Sequence, residues 1–221
     1  MEILEFGHAG ARVLVFPTSM GRFYQYEDFG MISTLEHHIQ NGWLHLFCVD
    51  SVDAESWYNK GIHPRERVLR HLQYENYILN EALPFIYSRN STPYLIVNGC
   101  SFGAFHAVNF TLRHPELVNR CLAISGAYDT HSYLDGYYDD DCYFTCPVDY
   151  LPNLHDERYL GPLRNGTHLI LTAGDADICL DGTLRIGNMM RNQRLSHTVD
   201  IWGNGTVHDW PAWKQMILKY I

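Results

Sequence analysis

The sequence contains no apolar run long enough to cross a bilayer and no excess of positive charge. The first absence argues against an integral membrane protein, whose spanning helices need about 20 apolar residues each. The second argues against nucleic acid or an anionic membrane as main partner, since both reward basic patches. Acidic residues number 25 against 16 Lys and Arg, a formal charge of −9. Internal repeats and low-complexity linkers are also missing. The opening Met1-Glu2-Ile3-Leu4-Glu5 lacks the basic start and apolar stretch of a secretory signal, so a cytoplasmic protein is expected. The sequons at Asn90, Asn109, Asn165 and Asn204 then carry no weight.

Cysteine is sparse. Six in 221 residues are too few for a disulfide-stapled scaffold. Cys48, Cys100 and Cys121 lie in or beside apolar runs and read as small buried packers. Cys142 and Cys146 have no second ligand pair at zinc spacing nearby and read as two free thiols. No pair among the 13 histidines has a metal-binding spacing, so neither metal nor cofactor is expected. With 46% apolar and 19% charged residues, the chain has ordinary globular composition and enough length for one domain spanning 1–221.

Short apolar runs at Arg12–Phe16, Trp43–Val49, Tyr94–Asn98, Cys121–Ser125, Thr167–Thr172 and His197–Trp202 read as strands. Glu2–Phe6 is expected to add a short strand beside the first of these, across the Gly7–Gly10 turn. Helical apolar spacing covers Glu27–Gln40, ending near Asn41-Gly42, and Arg65–Ser88, where Pro84 should kink or shorten it. Further helices are expected at Phe102–Arg113, Gly182–Leu195 and Asp209–Ile221. Alternating strands and helices predict a mostly parallel sheet covered on both faces, a three-layer α/β sandwich. The exception is Ala127–Gly166, long, acidic and rich in tyrosine, which reads as a lid-like insertion at the ligand-binding end of the sheet.

Gly99-Cys100-Ser101-Phe102-Gly103 stands between a strand and a helix. A serine held in a strained strand-to-helix turn needs small flanking residues, and its hydroxyl is lifted clear of the sheet as a nucleophile. Such a serine needs a base within hydrogen-bond reach. His208 follows the last strand on a glycine-rich loop and precedes the last helix, which makes it the leading base. His71 and His131 are the next candidates, while His106 and His114 are expected to pack or cap the helix after the serine. For the acid that orients the imidazole, Asp175 and Asp177 compete on the loop after Leu169–Thr172, with Asp181 third. An oxyanion hole needs two backbone N–H groups. Phe102 supplies one, and the Pro17-Thr18-Ser19-Met20-Gly21 loop supplies the other, through Ser19 or alternatively Met20.

These residues resemble the esterase branch of the α/β-hydrolases, which includes esterase D-like, feruloyl esterase-like and enterochelin esterase-like proteins. The resemblance spans nearly the whole chain and rests on Val13-Leu14-Val15-Phe16-Pro17, Gly99–Gly103, Gly174-x-x-Asp177 and Gly205-x-x-His208-Asp209-Trp210 followed by Trp213. It implies an α/β-hydrolase fold. It also selects Asp177, because the family acid falls three residues after the glycine. Pro17-Thr18 replaces the family's X-Gly before the oxyanion donor. The Cys48–Trp57 segment, with Arg70-His71-x-x-Tyr74-Glu75, is similar to a subgroup of small bacterial esterase-like proteins. Met20, Trp57, Tyr58 and Tyr128 are candidates for the substrate pocket. The implied activity is serine carboxylic-ester hydrolysis of a small or medium ester through a Ser101-His208-Asp177 triad. An acyltransferase using the same triad and a non-catalytic binding protein are the alternatives, and a homo-oligomer is left open.

Overall fold

The computed structural model describes residues 1–221. Seven strands form one sheet: β1 (Ile3–Phe6), β2 (Ala11–Phe16), β3 (Leu44–Val49), β4 (Leu95–Cys100), β5 (Arg120–Ile124), β6 (His168–Gly174) and β7 (His197–Trp202), in the order β1-β3-β2-β4-β5-β6-β7. All neighbours are parallel except β1 and β3. Strands buried on both faces require a run of apolar residues, and β2 illustrates the result. Leu14 and Phe16 enter the core on one face, Val13 and Val15 the core on the other.

The first face is covered by α4 (Pro64–Tyr77), α5 (Leu83–Arg89), α6 (Phe102–Arg113) and α10 (Leu180–Asn192). The second is covered by α1 (Gln25–Asp28), α2 (Met31–Thr34), α3 (Glu36–Gln40) and α11 (Trp210–Tyr220). The architecture is the expected three-layer α/β sandwich. Helices α7 (Asp140–Thr145), α8 (Pro147–Tyr150) and α9 (Glu157–Asn165) lie within the 127–166 segment. Its Tyr128, Cys146, Val148, Tyr150, Leu151, Leu160 and Leu163 belong to the larger core, while Tyr133 and Tyr137 pack on a small cluster around Phe102 and Trp57.

Three elements depart from the sequence reading. The β1 strand does not pair with β2 but runs antiparallel to β3, Ile3 opposite Val49. Both edges of β2 are already taken by β3 and β4, so the turn carries the chain past β2. Gly7, at φ 114°, crosses so close to β3 that a Cβ would lie 2.7 Å from the Leu44 carbonyl oxygen. The helix expected over 27–40 is three short ones. Gly30, at φ 72°, separates the first two, while buried Tyr26, Met31 and Leu35 keep the apolar spacing. The long 65–88 helix is interrupted by a π-turn at Ile78–Ala82 just before Pro84, which accommodates the missing N–H of that proline.

Candidate active site

Ser101 follows β4 and caps α6 with φ 56° and ψ −122°, a conformation rarely adopted by a non-glycine residue. The turn is possible because the chain approaches itself closely on both sides. A Cβ on Gly99 would lie 2.2 Å from the Gly103 carbonyl oxygen, and one on Gly103 would lie 2.5 Å from those of Phe16 and Pro17. Ser101 donates its N–H to the Ile124 carbonyl at 2.8 Å, which ties the elbow to the end of β5.

The loops after β6 and β7 bring the acid and the imidazole to the same edge of the sheet. His208 Nε2 lies 2.9 Å from Ser101 Oγ, and His208 Nδ1 lies 2.8 Å from Asp177 Oδ1. A carboxylate only accepts, so Nδ1 carries the proton and Nε2 is left to accept from the serine hydroxyl. Asp177 is buried, and burial alone would raise its pKa. The hydrogen bonds from His208, from the Ser125 hydroxyl and from the Cys179 N–H outweigh this and hold the carboxyl below its ordinary range. Ser125, at φ 55°, in turn accepts from Trp213 Nε1 at 2.9 Å, and the Trp213 ring stands edge-on to the His208 ring.

Asp175 does not meet the imidazole. Its Oδ1 accepts the Thr206 N–H at 2.9 Å and braces the loop that carries His208. Asp175 is exposed, whereas Asp177 is buried. His71 is buried against Trp57, Phe105 and His106, and His131 pairs with Asp129 and Asp149 near the surface, so neither approaches Ser101. His114 pairs with Glu75. His106 is more than packing: its Nε2 lies 2.8 Å from Asp53 Oδ1.

Within the Pro17–Gly21 loop, Thr18 N–H donates to Gln25 Oε1, Met20 N–H to Asp53 Oδ2 at 3.2 Å, and Gly21 N–H to the Thr18 carbonyl. The amides of Ser19 and Phe102 donate to no group of the protein. Of the two loop candidates, Ser19 therefore retains a free donor and Met20 does not. The Ser19 hydroxyl accepts from Tyr58, which accepts from Tyr133. Tyr58 and Tyr133 also pack on the Phe102 ring.

Of the proposed pocket residues, Met20 is exposed and Tyr58 half-buried beside the oxyanion loop. Trp57 and Tyr128 are not available to a ligand. Each is at most 1% exposed, Trp57 within the cluster around Phe105 and Tyr128 folded over Gly126, because aromatic bulk in loops over a sheet is drawn into the core. Sequence reasoning did not reach Gln25, which braces the oxyanion loop through Thr18, nor Ser125 and Asp53, whose contacts are distant in the chain; only the position of Ser125 at a strand end signalled it.

All six cysteines are free thiols, each buried. Two groups of donors could converge on a cation: Asp177, Cys179 and His208, and Asp129, His131 and Cys146. In the first, the Asp177 oxygens are already engaged by His208, Ser125 and the Cys179 amide. In the second, Asp129 is shared between His131 and the Arg185 guanidinium.

A parallel sheet with a strained serine between β4 and α6, and later loops bearing acid and histidine, defines the α/β-hydrolase fold. No protein-family model matches the sequence, and no curated protein matches it. Solved structures do share the fold. A ferulic acid esterase superposes with TM-score 0.72 at 17% identity, covering 96% of this chain and 83% of its own. S-formylglutathione hydrolase from Staphylococcus aureus gives TM-score 0.71 at 14% identity, covering 97% of this chain and 80% of its own. The feruloyl esterase module from Clostridium thermocellum, a mutant complexed with sinapinate, gives 0.65 at 12% identity over 95% of this chain and 75% of its own. No helix is long and apolar enough to cross a membrane.

Proposed function

We propose that the protein is a serine carboxylic-ester hydrolase acting on a small or medium ester. The observation that carries this reading is the unbroken series Ser101 Oγ, His208 Nε2, His208 Nδ1, Asp177 Oδ1, with contacts of 2.9 and 2.8 Å. Ser101 Oγ bonds to the ester carbonyl carbon as its proton passes to His208 Nε2. The carbonyl π electrons move onto oxygen, and the free amides of Ser19 and Phe102 stabilise that oxyanion. Collapse breaks the ester C–O bond, and His208 protonates the departing alcohol. Water then attacks the acyl-enzyme by the same route, releasing the acid and restoring the Ser101 hydroxyl.

Asp177 supports the imidazolium throughout, and its lowered pKa keeps it ionised for that task. The lid-like part of the insertion is the stretch bearing Tyr133, which reaches the Phe102 ring. Six unpaired thiols suit a reducing, cytoplasmic setting. The test is direct. A fluorophosphonate probe should label Ser101, and the purified chain should hydrolyse p-nitrophenyl acetate. Ser101→Ala should abolish labelling and lower kcat by about 10³-fold or more. Unchanged hydrolysis in that variant would sink the reading.

A further inference from the structure

The molecule contains a second histidine–carboxylate couple, away from the triad. Asp53 is fully buried and His106 is 3% exposed. Asp53 Oδ1 meets His106 Nε2 at 2.8 Å, while Asp53 Oδ2 accepts the Met20 N–H at 3.2 Å. His106 stands on α6, one turn beyond the nucleophile, in an aromatic box of Phe16, Phe102, Tyr74 and Phe105. Burying such a couple is costly and needs every lone pair used. Here the remaining carboxylate oxygen is used on a single backbone amide of the oxyanion loop.

That amide belongs to a strained residue. Met20 has φ 53°, an unfavourable conformation for a side chain with a Cβ, and it is half exposed. Two hydrogen bonds hold it there: the turn bond from Gly21 N–H to the Thr18 carbonyl and its own amide's bond to Asp53. The backbone of Asp53 reaches the neighbouring residue as well, since its carbonyl accepts the Tyr58 N–H at 2.9 Å and Tyr58 then donates to the Ser19 hydroxyl at 2.7 Å. One buried residue thus engages the loop directly at Met20 and, through Tyr58, at the side chain of Ser19.

We infer that the Asp53–His106 couple is a positioning pair for the oxyanion hole, locking the Pro17–Gly21 loop to the nucleophile helix so that the Ser19 N–H is preorganised beside Ser101. Its role is to fix a donor before charge develops, so it acts on the transition state more than on substrate binding. Neither residue touches substrate.

The inference rests on the triad reading, and the experiment separates the two. Wild-type protein must label with fluorophosphonate and turn over p-nitrophenyl acetate; if it does neither, the triad reading has failed. With that established, rates are expressed per site after exhaustive labelling, so that misfolded protein does not enter. His106→Leu keeps the bulk and removes the donor to Asp53, whereas His106→Gln keeps an N–H near the Nε2 position. The Leu variant should lose at least tenfold in kcat with KM within threefold. Its affinity for phenylboronic acid, which forms a tetrahedral adduct on the serine, should weaken by a comparable factor. The Gln variant should stay within threefold of wild type on both readouts. Should the Leu variant yield no folded protein, His106→Asn, polar but too short to reach Asp53, takes its place with the same expectation. Activity per site within twofold of wild type in the donorless variant, or an equal loss in the Gln variant, would overturn the inference.

Discussion

Asp175 and Asp177 are two positions apart on one loop, yet their carboxylates meet different partners, an amide of the histidine loop and the histidine itself. Their substitutions should differ accordingly. Asp177→Asn should lower kcat by about 10³–10⁴, since the amide favours the wrong imidazole tautomer. Asp175→Asn keeps an oxygen for Thr206 and should stay within about tenfold, a loss of roughly one hydrogen-bond equivalent. Ser125→Ala removes a donor to the buried Asp177 carboxylate and an acceptor for Trp213, and should lower kcat about tenfold. Steady-state kinetics on one ester checks all three. Ser101 and His208 stood out in the sequence because each follows a strand in a loop of distinctive composition, whereas Asp177 was preferred to Asp175 only through the family resemblance. Ser125 and Asp53 were not legible, because their partners lie 52 and 53 residues away and only the folded chain brings them together.

At the element scale, the end of β6 comes very close to the loop that follows β7. A Cβ on Gly174 would lie 1.9 Å from the Thr206 carbonyl oxygen, so the acid and histidine loops can nest only with glycine there. Gly174→Ala should push the two loops apart. It is expected to lower kcat by at least tenfold, a loss of about 1.4 kcal/mol or more in transition-state stabilisation, and to lower the melting temperature, as read by kinetics and calorimetry. The seven-strand sheet was mostly readable because strands buried on both faces leave unbroken apolar runs. The pairing of β1 was not, since nothing local to Glu2–Phe6 records that β2 already has two neighbours. Nor was the break at Gly30, because Tyr26, Met31 and Leu35 present the same spacing whether one helix or three carry them inward.

For the molecule as a whole, two buried groups contribute most visibly to the response to acid, His71 and Glu75. Burial, reinforced by the neighbouring His106, pushes the His71 pKa down to about 3. Glu75 is raised by its own burial, but the His114 hydrogen bond and the Arg113 charge outweigh this and hold it at about 2. The unfolded chain binds a proton on His71 below about pH 6.5 while the folded chain does not. Its contribution to stability is therefore complete above that pH and declines as pH falls toward 3. For Glu75 the contribution is complete above about pH 4.5 and is lost toward pH 2. Urea unfolding should show His71→Phe losing about 1.5 kcal/mol less than wild type between pH 6.5 and 5.

The strand that leads to His208 has a wider consequence. β7 is the edge of the sheet, none of its six residues is fully buried, and the loop beyond it is exposed at Gly203, Asn204 and Gly205. Ser101 and Asp177 follow fully buried or nearly fully buried strands. Opening of the β7–α11 margin would remove the general base while leaving nucleophile and acid in a sheet that still scatters and absorbs like the native one. Catalysis and architecture are then separable on heating. Activity should vanish, reversibly, several degrees below the loss of far-ultraviolet circular dichroism, and amide exchange in β7 should outpace that in β4. In the proposed reaction, the loop bearing His208 would then be the first of the three to yield to heat.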